Sequence, residues 1–257
     1  MNIVLVGAGR LATQLGKALS QNGHSIQAVF SRTMEAADAL SGVVGGFSTD
    51  NISQLPYEAD AYIIAVKDSV LQALIPALAE GREQCCFFHT AGSVPLSVFG
   101  GLSHCGVIYP MQTFSKERDV DFSTVPVFIE GSDDLALKRA RHIAATVSQR
   151  VMELSSEDRR HLHLAAVFAC NFSNHCYALA ATILERRGLP FDVMLPLIAE
   201  TARKVETMPP RQAQTGPAVR YDQNIIEAQK QLLAGEEMAR QVYDVMSRSI
   251  HDLELSC

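Results

Sequence analysis

The residues best suited to chemistry begin close to the N-terminus. Gly7-Ala8-Gly9-Arg10-Leu11-Ala12 is a G-x-G-x-x-A run between an apolar segment and a helix-like one. In that setting Gly7 permits a tight turn and Gly9 lets the backbone approach a pyrophosphate. Ala12 is small enough for the helix to pack on the strand. The helix start adds free N–H groups and a partial positive charge. The alternative is a glycine turn that holds no ligand. The next strand ends in Phe30-Ser31-Arg32-Thr33, with no carboxylate before Glu35. An NAD site usually places Asp or Glu there to hold the ribose. Arg32 can instead meet a 2′-phosphate with a planar fork, aided by the hydroxyls of Ser31 and Thr33, so NADP is the expected cofactor. Otherwise Arg32 is a solvated surface arginine. Arg10 faces either the phosphates or water.

Two later junctions extend this set. Ala65-Val66-Lys67 and Thr90-Ala91-Gly92 follow apolar runs, and ligands of an open α/β sheet lie beyond the carboxyl ends of its strands. The small residues would let backbone approach a nicotinamide. Lys67 is a phosphate or substrate contact, or a loop charge. His89 is a proton donor near the nicotinamide, or a hydrogen-bonded structural histidine. In Tyr109-Pro110-Met111-Gln112-Thr113-Phe114, polar Gln112 and Thr113 either line a cleft or form a turn that packs Met111 and Phe114.

The elements that must position these residues fall into two halves. Apolar runs at Ile3–Val6, Ser25–Phe30, Val43–Phe47, Ala61–Val66, Cys85–His89, Val107–Tyr109, Val125–Glu130 and Val151–Leu154 read as strands. Between them, Arg10–Gln21, Thr33–Ser41, Val70–Glu80 and Asp133–Gln149 read as helices, the last with Asp133 and Asp134 at its positive end. This alternation predicts a Rossmann-type, mostly parallel sheet over residues 1–154. Residues 155–257 then read as all helix, beginning at the start signal Ser155-Ser156-Glu157-Asp158. Arg159–Arg187 reads as one long helix. Phe191–Met208 is another, broken or bent near Pro196. Pro209–Pro217 is a loop, and Asp222–Leu233 and Glu236–Leu253 are two further helices.

At about 100° per residue, His163 and Asn174 lie within about 20° of each other on the long helix, and Asn171 about 80° from His163. A mostly apolar stripe carrying these groups needs partners for them, and each unsatisfied buried one costs ~1–3 kcal/mol. A ligand is one source of partners and neighbouring backbone is another. Thr215 and Arg220 follow in a polar loop that can bind a substrate carboxylate or simply cap the next helix, with Asp222 as its N-cap. Glu200 and Lys204 read as a surface ion pair.

Composition narrows the classes. A chain of 257 residues with 47% apolar content can build a sizeable core, as one large domain or two small ones. With 28 acidic against 22 basic residues the net charge is −6, which disfavours nucleic acid as a partner. No apolar run approaches the ~20 residues of a membrane helix. Met1-Asn2 leads straight into the first strand with no basic segment, so a cytoplasmic location is expected. The six cysteines, with Cys85 and Cys86 adjacent and Cys170 and Cys176 six apart, read as buried reduced thiols, with no metal site.

The start of the chain and Ala65-Val66-Lys67 resemble the NADP-binding half of pyrroline-5-carboxylate reductases. The whole chain is more similar to Rossmann-like proteins with a DUF2520 domain, labelled NADP oxidoreductases. The residues that carry this are His89-Thr90-Ala91-Gly92-Ser93, Tyr109 through Phe114, His163 through Ala169 with Asn171-Phe172, and Gln214 through Ala218 with Arg220 and Asp222. The resemblance implies the architecture of 6-phosphogluconate-dehydrogenase-like enzymes, whose helical C-terminal domain covers the cofactor cleft and supplies a dimer interface. Hydroxyacid dehydrogenases of that group use a lysine and an asparagine on the long helix. Here that helix carries His163, Asn171 and Asn174 and no lysine, which counts against hydroxyacid chemistry. A deazaflavin partner, as some relatives use, is selected by nothing in the sequence.

The expected function is an NADP(H)-dependent oxidoreductase. It would pass a hydride to a small carbonyl or imine in the cleft between the halves. His163 or His89 would supply the proton, with Asn171 beside them and Gln112, Asn174, Thr215 and Arg220 toward the substrate. The alternative is a non-catalytic NADP-binding sensor or interaction protein. A homodimer through the helical half is expected, because that half is a thin core by itself.

Overall fold

The computed structural model describes residues 1–255. Its first unit carries eight strands: β1 (Asn2–Val6), β2 (Ser25–Phe30), β3 (Phe47–Thr49), β4 (Ala61–Ile64), β5 (Cys86–His89), β6 (Cys105–Pro110), β7 (Val127–Gly131) and β8 (Val151–Glu153). Between them lie α1 (Arg10–Gln21), α2 (Met34–Val44), α3 (Asp68–Ala79) and α4 (Asp134–Val147). The strands form one sheet in the order β3-β2-β1-β4-β5-β6-β7-β8. All neighbours run parallel except β6 and β7. Strand order reverses between β1 and β4, the switch point at which open α/β sheets bind ligands.

Both faces of the sheet are covered, which explains why its strands are nearly continuous apolar runs. Ile3 and Leu5 of β1, Ala61 and Ile63 of β4 and Phe88 of β5 pack with Leu15 and Leu19 of α1, Leu40 of α2 and Ile143 of α4. Their alternates, Val4, Val6, Tyr62, Ile64 and Phe87, pack on the other face with Leu71, Ile75 and Leu78 of α3. Asp133 caps α4, its carboxylate accepting from the Ala136 N–H at 2.8 Å.

The third strand departs from the sequence reading. Val43 and Val44 finish α2, and Gly45 and Gly46, with φ of +85° and +80°, break the helix before β3 begins at Phe47. The expected long helix is also not uniform. It consists of α5 (Ser156–Ala166), a π-helical turn (Val167–Phe172) and α6 (Ser173–Glu185). A π turn is wider than an α turn, so angles reckoned at a constant step from His163 to Asn171 and Asn174 do not hold. The chain divides into compact units at Asn171/Phe172, which places α5 with the sheet.

The second unit continues from α6 with α7 (Leu195–Thr207), α8 (Pro210–Ala213), α9 (Gln223–Leu232) and α10 (Glu237–Leu255). Pro196 lies in the first turn of α7 and starts that helix instead of bending it. The expected loop at 209–217 contains the single turn α8. Asp222 stands at the N-cap position of α9, but its side chain makes no capping bond. Glu200 pairs with Arg203, while Lys204 donates to the Ala213 carbonyl, so the expected Glu200–Lys204 pair does not form. Cys85, Cys86 and Cys105 are buried thiols, but Cys170 and Cys176 are exposed, and Cys257 lies outside the described residues. No described helix is long and apolar enough to cross a membrane.

One buried cation holds the approach to β4. Arg82 is 3% exposed and donates to the carbonyls of Ile52, Leu55, Pro56, Leu78 and Glu80. Its guanidinium also stands 4.5 Å over the Tyr57 ring. Arg82→Ala strands several buried acceptors at once. The expected loss is at least about 3 kcal/mol by urea denaturation, whereas Arg160→Ala on the exposed face of α5 changes little.

Candidate functional site

The site starts at the turn after β1. Gly7 has φ +111°, and a Cβ there would run into the carbonyl of Ala65. Its N–H donates to Phe30 O at 2.7 Å, while Ala65 N–H donates to Val6 O at 2.8 Å. The turn is thereby fastened to the ends of β2 and β4. Gly9 is exposed, and a Cβ on it would stand in open space. Ala12 is 1% exposed, packed in the core beneath α1. No side chain caps α1 and no acid lies in its first turn, so the positive end of its dipole is not offset by its own side chains. These residues fit a pyrophosphate. Ala8 and Leu11 pack partly against the core and Arg10 is exposed.

At the end of β2, Arg32 and Thr33 are exposed and Ser31 is half-buried. Arg32 has no ion-pair or hydrogen-bond partner among the described residues, and the Thr33 side chain leaves the N-terminus of α2 uncapped. A free guanidinium beside free hydroxyls suits a phosphate ester. Ala65 and Val66 are half-buried at the end of β4, and exposed Lys67 precedes α3.

The ends of β5 and β6 meet α5 (Ser156–Ala166). His163 Nδ1 lies 3.1 Å from the Tyr109 hydroxyl, with the two rings edge to face at 6.1 Å. Both are pressed on Gly92, where a Cβ would stand 2.6 Å from His163 Nδ1 and 2.9 Å from Tyr109 Cζ. The space over Gly92 is therefore filled by protein, and its missing side chain is explained by this contact. Ala91 and Thr90 are buried, and the Thr90 hydroxyl donates to Ile64 O at 3.4 Å. Ser93 donates to the Asp68 carboxylate. Tyr109 and Asp68 were not among the expected site residues. A phenol ending an otherwise apolar strand was the available signal for Tyr109.

Comparison with known proteins agrees with this geometry. Residues 2–85 match the family model described as NADP oxidoreductase, coenzyme F420-dependent, and residues 125–250 match the domain of unknown function DUF2520. A Bacteroides fragilis crystal structure named a "putative NADP oxidoreductase" is 50% identical, with 98% of each chain covered and a TM-score of 0.93. The chain belongs to the DUF2520 family.

More distant structures share the fold of this DUF2520 chain. An imine reductase from Myxococcus stipitatus, in complex with NADP+, is 15% identical over 98% of this chain and 93% of its own, with a TM-score of 0.72. A pyrroline-5-carboxylate reductase from Coxiella burnetii is 19% identical over 99% and 97%, with a TM-score of 0.58. No curated protein matches the sequence.

What anchors the DUF2520 site is a charge that sequence reading passed over. Arg159 is 1% exposed and pairs with the Glu130 carboxylate. It also donates to Val94 O at 2.6 Å and to Ser156 Oγ at 3.3 Å. Ser156 donates to Glu130 in turn and accepts from the Leu96 N–H at 2.8 Å. Arg159 and His163 stand one helical turn apart on one face, so pinning the arginine sets the height of the imidazole. The spacing of four between a cation and a histidine was the legible signal.

The remaining expected residues are not all gathered here. His89 is fully buried, its ring stacked on Phe99, and its Nδ1 accepts from the Ala91 N–H. Burial, with Arg159 nearby, pushes its pKa down to about 3, so it is neutral at physiological pH and unsuited to giving up an imidazolium proton. Gln112 is exposed and folds back on the Thr113 N–H, while Phe114 stacks on Phe122. Asn171 is exposed in the π turn, and Asn174, Thr215 and Arg220 are exposed in the second unit.

Neutral burial of His89 in the DUF2520 chain makes folding pH-dependent with a definite sign. The unfolded chain takes up this proton near 6.5 and the folded chain only near 3. The contribution is whole above 6.5 and is lost as pH falls toward 3. Over that window the loss is on the order of 5 kcal/mol. His89→Phe, which keeps a ring against Phe99, is expected to flatten the acid limb of stability measured by denaturation at neutral and acid pH. Parallel acid limbs in the two proteins would refute this origin.

Proposed function

We propose that this chain is an NADP(H)-dependent oxidoreductase acting on a small carbonyl or imine compound. The observation that carries the reading is the turn at Gly7, Gly9 and Ala12, seated at the sheet's switch point beneath an uncapped helix end. Gly7 through Ala12 would hold the pyrophosphate, with Arg32, Ser31 and Thr33 on the 2′-phosphate. Ala65, Val66 and Lys67 would border the other end. The bound nicotinamide supplies a hydride. The protein must then meet the charge that develops on the substrate oxygen or nitrogen, and a nearby donor does that. We assign that part to His163, on the ground that it is half-buried at the ends of β5 and β6 and bonded to Tyr109 through one ring nitrogen.

Titration with each cofactor tests the reading. The wild type is expected to prefer NADPH over NADH, and Arg32→Ala to lose about tenfold in NADPH affinity with NADH little changed. Equal wild-type affinities remove the specificity. NADPH oxidation against imines, 2-oxoacids and aldehydes tests catalysis. Firm binding without turnover on any of them would mark a non-catalytic NADP sensor.

Self-association through the helical unit belongs to the same proposal. Its helices expose Ile183, Leu195, Leu197, Met238 and Val245, and its buried apolar residues are few. A second copy of the chain would cover such surface. Light scattering at micromolar concentration is expected to return twice the chain mass, and a monomer would refute it. A cytoplasmic location is also proposed, because exposed thiols such as Cys170 and Cys176 persist in a reducing compartment.

A further inference from the structure

The geometry points to Tyr109 as a positioning residue that sets the tautomer of His163 and leaves the imidazole hydrogen on Nε2, facing outward as a donor. This deepens the reductase reading and rests on it for its functional meaning, though the tautomer itself can be read without any cofactor.

A neutral imidazole has one donor nitrogen and one acceptor nitrogen, and the partner of one decides the state of the other. The partner here is a phenol. Tyr109 is 8% exposed, and its hydroxyl has His163 Nδ1 at 3.1 Å as its sole hydrogen-bond partner among the described residues. Burial raises the phenol pKa, so it stays protonated. The charged groups around it oppose each other, Arg159 of α5 favouring the phenolate and Asp68 of α3 disfavouring it, and His89 nearby is neutral. A protonated phenol with one neighbour donates to it, which makes Nδ1 the acceptor and puts the hydrogen on Nε2.

Nε2 has no partner among the described residues, and His163 is only half-buried. The ring is held in this pose from two sides. Gly92 leaves just enough room, since a methyl group there would stand 2.6 Å from Nδ1. One turn earlier on α5, Arg159 ties the helix to Glu130 and to the Val94 carbonyl. An Nε2–H held in this way can hydrogen-bond a substrate oxygen or nitrogen as negative charge builds there. The imidazole need not be charged to do so.

The test is 15N NMR of the full-length protein with labelled histidine, at alkaline pH where imidazole is neutral. His163→Ala identifies the His163 ring signals. In the wild type, Nδ1 is expected to show the shift of a bare acceptor and Nε2 that of a hydrogen-bearing nitrogen. In Tyr109→Phe, which removes one oxygen, the two shifts are expected to move toward each other. NADPH affinity should stay within about twofold, and turnover on any reducible substrate should fall about tenfold with little change in KM. Hydrogen on Nδ1 in the wild type, or the same tautomer balance in Tyr109→Phe, overturns the inference. Failure of the wild type to bind NADPH would instead overturn the reductase reading and leave the tautomer result standing.

Discussion

At the end of β1 the backbones of three strands crowd around one residue that has no side chain. Gly7 reaches φ +111° there, bonds the last carbonyl of β2, and lies so close to Ala65 that a Cβ would collide with its carbonyl. This crowding brings the ends of β2, β1 and β4 to one point on the sheet edge, where strand order reverses. It also fixes where α1 starts, and so where its unpaired N–H groups point. Ala12 follows from the same constraint, because the helix must pack closely on the strands, while Gly9 leaves open space above the turn.

Recognition of an anion by this chain has to be local, since the net charge is −6. In the proposed function the helix end and the unpartnered Arg32 would carry that burden. Arg159 shows what happens to a cation placed elsewhere: it is buried and held by Glu130, the Val94 carbonyl and the Ser156 hydroxyl. Burying such a pair gains little net stability, but breaking it is expensive, so its worth lies in specifying one arrangement. What it specifies is the seat of α5 on the sheet, and through a single helical turn the position of His163.

Much of the first unit was legible because its strands and helices obey short periods. The covered sheet needed continuous apolar runs, and β1, β4 and β5 have them. Misreadings arose where near neighbours conflict. Val43 and Val44 have strand propensity but complete a helix, because Gly45 and Gly46 can turn the chain only after it. The π turn at Val167–Phe172 leaves no mark in composition, so one long helix was the natural reading. Cys170 and Cys176 looked like core thiols by type but lie exposed.

The sequence by itself determined the features that depend on residues within a turn or a strand of one another. These are the G-x-G-x-x-A turn in its strand–helix setting, the absence of an acid before Glu35, the acids Asp133 and Asp134 at a helix start, the start signal at Ser155, and the change from mixed elements to helix near residue 154. The tertiary structure alone decided the gathering of Gly92, Tyr109 and His163. Tyr109 and His163 are 54 residues apart, and no local pattern encodes their meeting. It depends on β5 and β6 being parallel neighbours, so that Tyr109 falls two residues past the partner of His89, and on Arg159 fastening α5 beside them. The same burial separated two histidines that looked alike in sequence. His89 went into the core, where desolvation keeps it neutral, and His163 came to the edge, where one of its nitrogens stays free.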